Sequence, residues 1–297
     1  MGNKSKQQHT VPRTYLKHWK ISDAESFVYA IDFARKPRPV VDRFGLNDSV
    51  FKRDRYYNDN TFIHPYALEE AFSKYIEPEY ENIVNEIKEE NVITQTTREK
   101  IIFWLYTTKM RNPVMRNNHE RIIHFLMTTK ARWGGRPLEA DEEQAINQYS
   151  KDLAKKMHLG ALVDENDAKD LSDLFLQTMS AKRWRILKSH SLYNFWTNDN
   201  PGFSPNVDER FAIDRPYHHW FELNAKGVMF FPLSPKYCLE ISPFTEGTPL
   251  EVNALTMHIP YTEASLTYID YINKGVFYTR DRFVISNNKQ ILESCIR

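Results

Sequence analysis

The hydrophobic period of this chain changes twice along its length, which limits the folds open to it. Ala67, Leu68, Ala71, Phe72, Tyr75 and Ile76 recur at three- and four-residue spacings, and Tyr80, Ile83, Val84 and Ile87 continue the pattern. That is the period of an amphipathic helix, with Pro78 placed to kink or split it. Further helices are expected over 97–110, 115–133, 139–158 and 164–182, with Thr94 or Thr97 capping the first of them. Gly134, Gly135 and Pro137 close the helix before them. Asp164 with Asp167 has the form of an acidic helix start.

On either side the period falls to two. Phe27–Phe33 reads as a strand, and Phe51–Asn58 as a second, short one. After Arg183, strands are expected at 184–187, 192–197, 228–231, 237–241 and 283–286, with a late helix over 261–273. A short helix over 11–19, with Pro12 in its first turn, precedes the first strand. The fold class is therefore α+β: a helical central region, 65–182, flanked by N- and C-terminal strand-bearing segments that share one sheet. One domain over 1–297 is expected, the helices being an insertion rather than a separate unit.

Composition excludes several classes. Lys plus Arg is 40 and Asp plus Glu is 39, a net charge of +1, so this is no basic nucleic-acid coat. Any grip on nucleic acid has to be local. Apolar residues at 41% and charged residues at 27% exclude disorder over most of the length. Two cysteines, Cys238 and Cys295, are too few for a zinc site and fit a reducing cytoplasm. The N-terminus has no apolar signal segment, and no run of about eighteen apolar residues marks a membrane span. The nine glycines form no phosphate loop or dinucleotide fingerprint.

Four short segments hold the residue types that chemistry needs. His9, Arg13 and Tyr15 fall close together, His9 as a proton-moving group and Arg13 as a phosphate fork; docking of Tyr15, Leu16 and Trp19 on the core is the plainer explanation. Glu70 and Glu77 are seven apart, which in an α-helix leaves them roughly 20° from one face. Two facing carboxylates suit a hard cation, although a charged helix face is ordinarily just solvated. Arg111-Asn112-Pro113 opens a polar cluster ending at His119. It resembles the HEPN ribonuclease motif, with more residues between Arg and His than that motif has. Thr197-Asn198-Asp199-Asn200-Pro201 ends an apolar run, where Asp199 and Asn200 either build a site or simply make a turn.

Taken in order, these segments resemble the bacterial DUF4238 family, a domain of unknown function. His9, Pro12, Tyr15 and Leu16 are similar to its opening signature. Glu70 and Glu77 match its acidic helix, and Arg111 and Pro113 its central Arg-x-Pro. Thr197, Asp199, Asn200 and Pro201 match its turn, and Pro232–Pro235 a later strand end. Asn198 stands where the family has Ser, and Gly202 where an aliphatic residue is common. The resemblance brings no mechanism. A set of His, Glu, Arg, Asp and Asn drawn from distant segments is nevertheless what a convergent site needs. The expectation is a cytoplasmic bacterial nuclease or phosphodiesterase of defence or toxin type acting on nucleic acid or nucleotide. Glu70, Glu77 and Asp199 would hold Mg²⁺ or Mn²⁺, His9 would move the proton, Arg13 and Arg111 would grip phosphate, and Asn200 would orient Asp199. The alternative is a non-catalytic ligand-sensing or binding module built on the same residues.

Overall fold

The three- and four-residue period of the chain's middle is realised as stacked helices in the computed structural model, which describes residues 7–35, 37–54, 56–57, 66–163, 165–190, 193–206, 216–245, 247 and 255–296. After strand β1 (Gln7–His9) and helix α1 (Arg13–Leu16), the helical stretch begins with α2 (Ala67–Ala71). It passes through a π-helical turn (Phe72–Ile76) into α3 (Glu77–Lys88). Pro78 does not break this run. It sits in the first turn of α3, where an amide hydrogen is dispensable.

Helix α4 (Gln95–Met110) starts at the earlier of the two expected caps, with Thr94 Oγ1 accepting from the Thr97 amide at 3.1 Å. Helix α5 (Pro113–Ala131) starts two residues before expectation because Asn112 caps it and Pro113 takes the first position. Gly135, at φ +77°, ends the short 3-10 turn that follows. Helices α6 (Ala140–Val163) and α7 (Glu165–Ser180) complete the layer. The expected cap at Asp164 lies outside the described residues, as does the expected strand end at Asn58.

Strands from both ends of the chain meet. β2 (Phe27–Asp32), β3 (Val41–Gly45), β6 (Thr197–Asn198) and β12 (Phe283–Ser286) form one sheet in the order β3-β2-β12-β6. β2 and β12 run antiparallel with Asp32 opposite Phe283, and Arg282 clamps that junction. Its Nε donates to Asp32 Oδ1 at 2.7 Å and its Nη2 to Oδ2 at 2.5 Å. The expectation of one shared sheet is thus met in part. A second sheet, β11-β5-β10-β9, is built wholly from β5 (Arg183–Lys188), β9 (Met229–Pro232), β10 (Tyr237–Ser242) and β11 (Tyr261–Glu263). The late helix begins after β11, as α8 (Leu266–Tyr278) capped by Ser265. Short strands β4 (Lys52–Asp54), β7 (Ser204–Pro205) and β8 (Tyr217–His218) and helix α9 (Lys289–Ser294) fill the periphery.

The run 192–196 forms no strand over its described residues, and Leu192 lies outside them. Phe195 donates its amide to Pro235 O and Trp196 to Asn273 Oδ1, so the apolar run is buried without a ladder. Cys238 is buried and Cys295 half-buried, and both are free thiols.

An aromatic knot joins helices to strands. Tyr80 stacks on Trp104 with ring centres 4.1 Å apart, and Tyr15 lies 5.6 Å from Trp104 and 5.7 Å from Phe231. Tyr15 Oη donates to Pro232 O at 2.8 Å. Its single hydrogen being so engaged, the Thr197 hydroxyl must donate to Tyr15 Oη across 2.5 Å. Tyr80 Oη donates to Leu233 O at 2.6 Å. Tyr15, Thr197 and the Pro232–Pro235 strand end therefore hold one another.

Helix α8 packs on this core through Gly275. A Cβ there would lie 2.1 Å from the ring of fully buried Phe203. Gly275→Ala is expected to destabilise the fold by about 1–3 kcal/mol through overpacking. Urea unfolding checks this, and Phe203→Leu in the same chain should return part of the loss. An unchanged midpoint for the single variant would show that the helix is free to shift.

Candidate functional site

Arg111 ends α4 with its side chain only 2% exposed. Nη1 donates to Glu77 Oε1 at 2.9 Å and Nη2 to the His9 carbonyl at 2.8 Å. The guanidinium stacks 4.4 Å above the Phe72 ring, and Tyr57 Oη donates to the Arg111 carbonyl at 2.6 Å. His9, Glu77 and Arg111 are therefore brought together, His9 contributing its backbone carbonyl rather than its ring. Glu70 is not: it is exposed, and Glu69 stands beside Arg111 instead, Oε2 lying 3.9 Å from Nη2.

The reason is the π-helical turn at Phe72–Ile76. Its wider i→i+5 winding takes up one additional residue, so eight residues rather than seven return to the same face. Loss of solvent pushes the Glu69 carboxyl up to about 7, against the pull of Arg111, and its Oε2 has no hydrogen-bond partner. Burial and then the charge of Lys52 push His9 down to about 4, so its ring is neutral at pH 7. Arg13 is not part of this cluster. It is exposed on α1 and lines a different groove.

Asp199 and Asn200 are buried and engaged with backbone. Asp199 Oδ1 accepts from the Asp281 amide at 2.9 Å and Oδ2 from the Arg282 amide at 2.8 Å. Burial, with the nearby charge of Asp281, raises its pKa to about 7 despite those amides. Asn200 Nδ2 donates to the carbonyls of His219 at 3.0 Å and Thr279 at 2.9 Å. Asn198 Nδ2 donates to Val276 O at 2.6 Å. With both Asp199 oxygens on amides, Glu77 on Arg111 and Glu70 on the exposed side of α2, the expected metal ligands do not converge. No three His, Cys, Asp or Glu side chains among the described residues form such a set.

Beneath the turn lies Lys109, fully buried. Its three N–H donors are shared among four oxygens, Asn200 O at 3.2 Å, Asn200 Oδ1 at 2.9 Å, His219 O at 3.0 Å and the Gly202 carbonyl. Burial pulls the Lys109 pKa well below its ordinary value. Gly202 is required here. Its φ is +80°, and a Cβ would meet the Phe231 ring at 2.6 Å and the Phe221 ring at 2.7 Å.

This buried network holds the walls of a cleft of about 390 Å³. One wall is the first half of α5, with Asn117, Asn118 and Arg121. The other carries Tyr217, His219 and Arg280. Asn112 caps α5 through its Oδ1, while its Nδ2 donates to Asp199 O at 2.7 Å, tying the two walls together. His219 Nδ1 lies 3.0 Å from the Thr279 carbonyl. A carbonyl only accepts, so Nδ1 carries the hydrogen and Nε2 is left as the basic nitrogen. Loss of solvent around the ring, reinforced by Lys109, lowers the His219 pKa against the pull of the Thr279 carbonyl. Arg280 stacks 3.6 Å from the Phe33 ring, and Arg121 Nη2 donates to Asn118 Oδ1 at 3.2 Å.

Three residues here escaped the sequence reading. Lys109 did give a signal, since it falls four past Leu105 and seven past Ile102, on the apolar side of α4. Glu69 was hidden by the π turn. His219 lies in an aperiodic His-His-Trp segment that gave none.

Residues 7–290 of the chain match the family model described as Protein of unknown function (DUF4238). No curated protein and no solved structure matches the chain.

Proposed function

We propose that this chain, which belongs to the DUF4238 family, is a phosphodiesterase whose reaction takes place in the cleft between α5 and the Tyr217–His219 segment. The observation that carries this reading is the fixed tautomer of His219. Its ring is oriented by the Thr279 carbonyl and its backbone is pinned by Lys109 and Asn200. A neutral imidazole so held is a general base, and the guanidinium groups of Arg121 and Arg280 in the same cleft offset charge developing on a phosphoryl group.

In the proposed step, a water or ribose hydroxyl attacks phosphorus while His219 Nε2 takes its proton. The bond to the leaving oxygen breaks, and that oxygen recovers a proton from the imidazolium. Asp199 and Asn200 are positioning residues in this account, because they touch the backbone of the walls rather than the cleft. The free thiols suit the reducing cytoplasm in which we place the protein. A non-catalytic ligand-binding module is the second reading. It is favoured by the engagement of Asp199, Asn200 and Arg111 in internal hydrogen bonds.

Turnover separates the two. With RNA oligonucleotides and an aryl phosphodiester as substrates, His219→Gln is expected to lower kcat by about 10²–10⁴-fold, with KM nearly unchanged and the melting temperature retained. The wild-type rate should be flat at pH 7 and fall only as the pH drops through the lowered His219 pKa, below 6.5. Ligand retained unchanged by wild type would establish the binding module. A variant as active as wild type would remove His219 from the chemistry.

A further inference from the structure

Two larger grooves among the described residues lie elsewhere and adjoin each other. One is about 660 Å³ and the other about 530 Å³, and both are lined by Lys17, His18, Lys20 and Lys88. Arg13 stands in the first and Lys236 in the second. Five cations thus gather along one continuous depression in a chain whose net charge is +1.

They are anchored on separate elements. Arg13 belongs to α1, Lys17 and Lys20 to the turn after it, Lys88 to the end of α3, and Lys236 to the turn between β9 and β10. No carboxylate among the described residues forms an ion pair with Arg13, Lys17, Lys88 or Lys236. By contrast, Lys188 is paired with both Glu90 and Glu263. Two acids line the grooves, Asp23 and Glu81, and Glu81 lies 3.6 Å from His18. The cluster is strong enough to act on His18, whose pKa falls to about 4 through burial first and the charges of Lys88, Lys17 and Lys20 after the opposing pull of Glu81.

Lys20 Nζ donates to the Asp23 carbonyl at 2.9 Å, and the other four cations are exposed with no carboxylate paired to them among the described residues. Like charges gathered in this way attract a polyanion. One phosphate would engage two or three of them. Five spread over two adjoining grooves call for several phosphates spaced along a strand. Ser22 in the second groove adds a hydroxyl suited to sugar edges, beside Asn194 and Asn287, which are hydrogen-bonded to each other at 3.3 Å. No large apolar side chain in the lining is exposed to enter a lipid surface. Grooves of this volume admit a few nucleotides of a single strand rather than the face of a duplex.

We propose that the Arg13–Lys17–Lys20–Lys88–Lys236 groove binds the phosphodiester backbone of a single-stranded nucleic acid. This is a statement about binding and stands apart from the catalytic role of the cleft. The test is fluorescence anisotropy with the full chain and labelled 12-nucleotide single-stranded RNA and DNA, a duplex of the same sequence, and anionic phosphatidylserine vesicles, over a salt series.

Wild type should bind a single strand more tightly than the duplex. The double variant Lys17→Glu/Lys88→Glu should bind at least tenfold more weakly. Its plot of log affinity against log salt should be shallower by about 1.4, two phosphate contacts at about 0.7 each. The control Lys151→Glu/Lys226→Glu makes the same charge change on exposed residues outside the grooves and should bind as wild type. Equal weakening by the control, tighter binding of duplex or vesicles, or no strand binding at low salt would each overturn the proposal. Failure here leaves the turnover test of His219 standing, and loss of turnover with intact strand binding leaves the groove standing.

Discussion

Replacing Arg111 by methionine is expected to lower the unfolding free energy by about 3–5 kcal/mol. The guanidinium is almost wholly enclosed and satisfies Glu77 Oε1 and the His9 carbonyl while facing Glu69. Methionine fills much of the volume but supplies no donor, so one carboxylate is left buried with nothing to offset it. Removing both members of such a set can be neutral, whereas removing one is not.

The pH dependence separates lost charge from lost packing. Glu69 titrates at about 7 in the folded protein against about 4.3 in an unfolded chain. Between those values the folded state binds more protons, so the stability contributed by the protonated carboxyl is complete below about pH 4 and is lost as the pH rises to about 7. Removing Arg111 takes away the charge that holds this pKa down, so the loss extends to higher pH. Urea unfolding of Arg111→Met should therefore show a larger deficit against wild type at pH 8 than at pH 5. A deficit equal at both pH values would mean that Glu69 does not sense Arg111 and that the effect is packing alone.

The same cluster shows what one sequence can and cannot disclose. Helices α3 to α7 were legible because an apolar stripe is a local property, and Thr94 announces its cap in the chain itself; the cap at Asn112 was missed, which put the start of α5 two residues late. That the two flanks share a sheet followed from their strand-rich pattern, whereas the pairing of β2 with β12 is read from the structure. The division of the later strands into a second sheet did not, because which strands pair is decided by tertiary packing. Tyr193, Phe195 and Trp196 are β-forming residues, yet their amides go to the His190 carbonyl, the Pro235 carbonyl and Asn273 Oδ1 rather than to a neighbouring strand. The Glu70–Glu77 spacing assumed an unbroken α-helix, and one π turn moved the second carboxylate beside Arg111 from position 70 to position 69. Asp199 and Asn200 were recognised as polar groups at a strand end. Whether such groups face a ligand or a backbone depends on the Thr279–Arg282 segment, some eighty residues away.

Lys109→Met is expected to cost about 2–4 kcal/mol and to loosen the cleft. The side chain of Lys109 lies inside the fold, and its Nζ reaches four oxygens, three of them backbone carbonyls. Desolvating the amine opposes folding, as its lowered pKa records. Methionine removes that penalty. It also leaves the Gly202 carbonyl and Asn200 Oδ1 buried without this donor, at about 1–3 kcal/mol for each unsatisfied group. The acceptors remain when the donor goes, so the loss outweighs the relief. The His219 carbonyl keeps Asn200 Nδ2 as a partner, which makes the change at the base one of position rather than of chemistry. In the proposed phosphodiesterase, KM and kcat should both worsen in Lys109→Met, because the wall bearing His219 loses one of its two pins, while His219→Gln should alter kcat alone. Thermal unfolding and steady-state kinetics on both variants check this. A Lys109→Met protein more stable than wild type would show that desolvation of the amine dominates, and the buried lysine would then have to be explained by something other than the stability of the wall it holds.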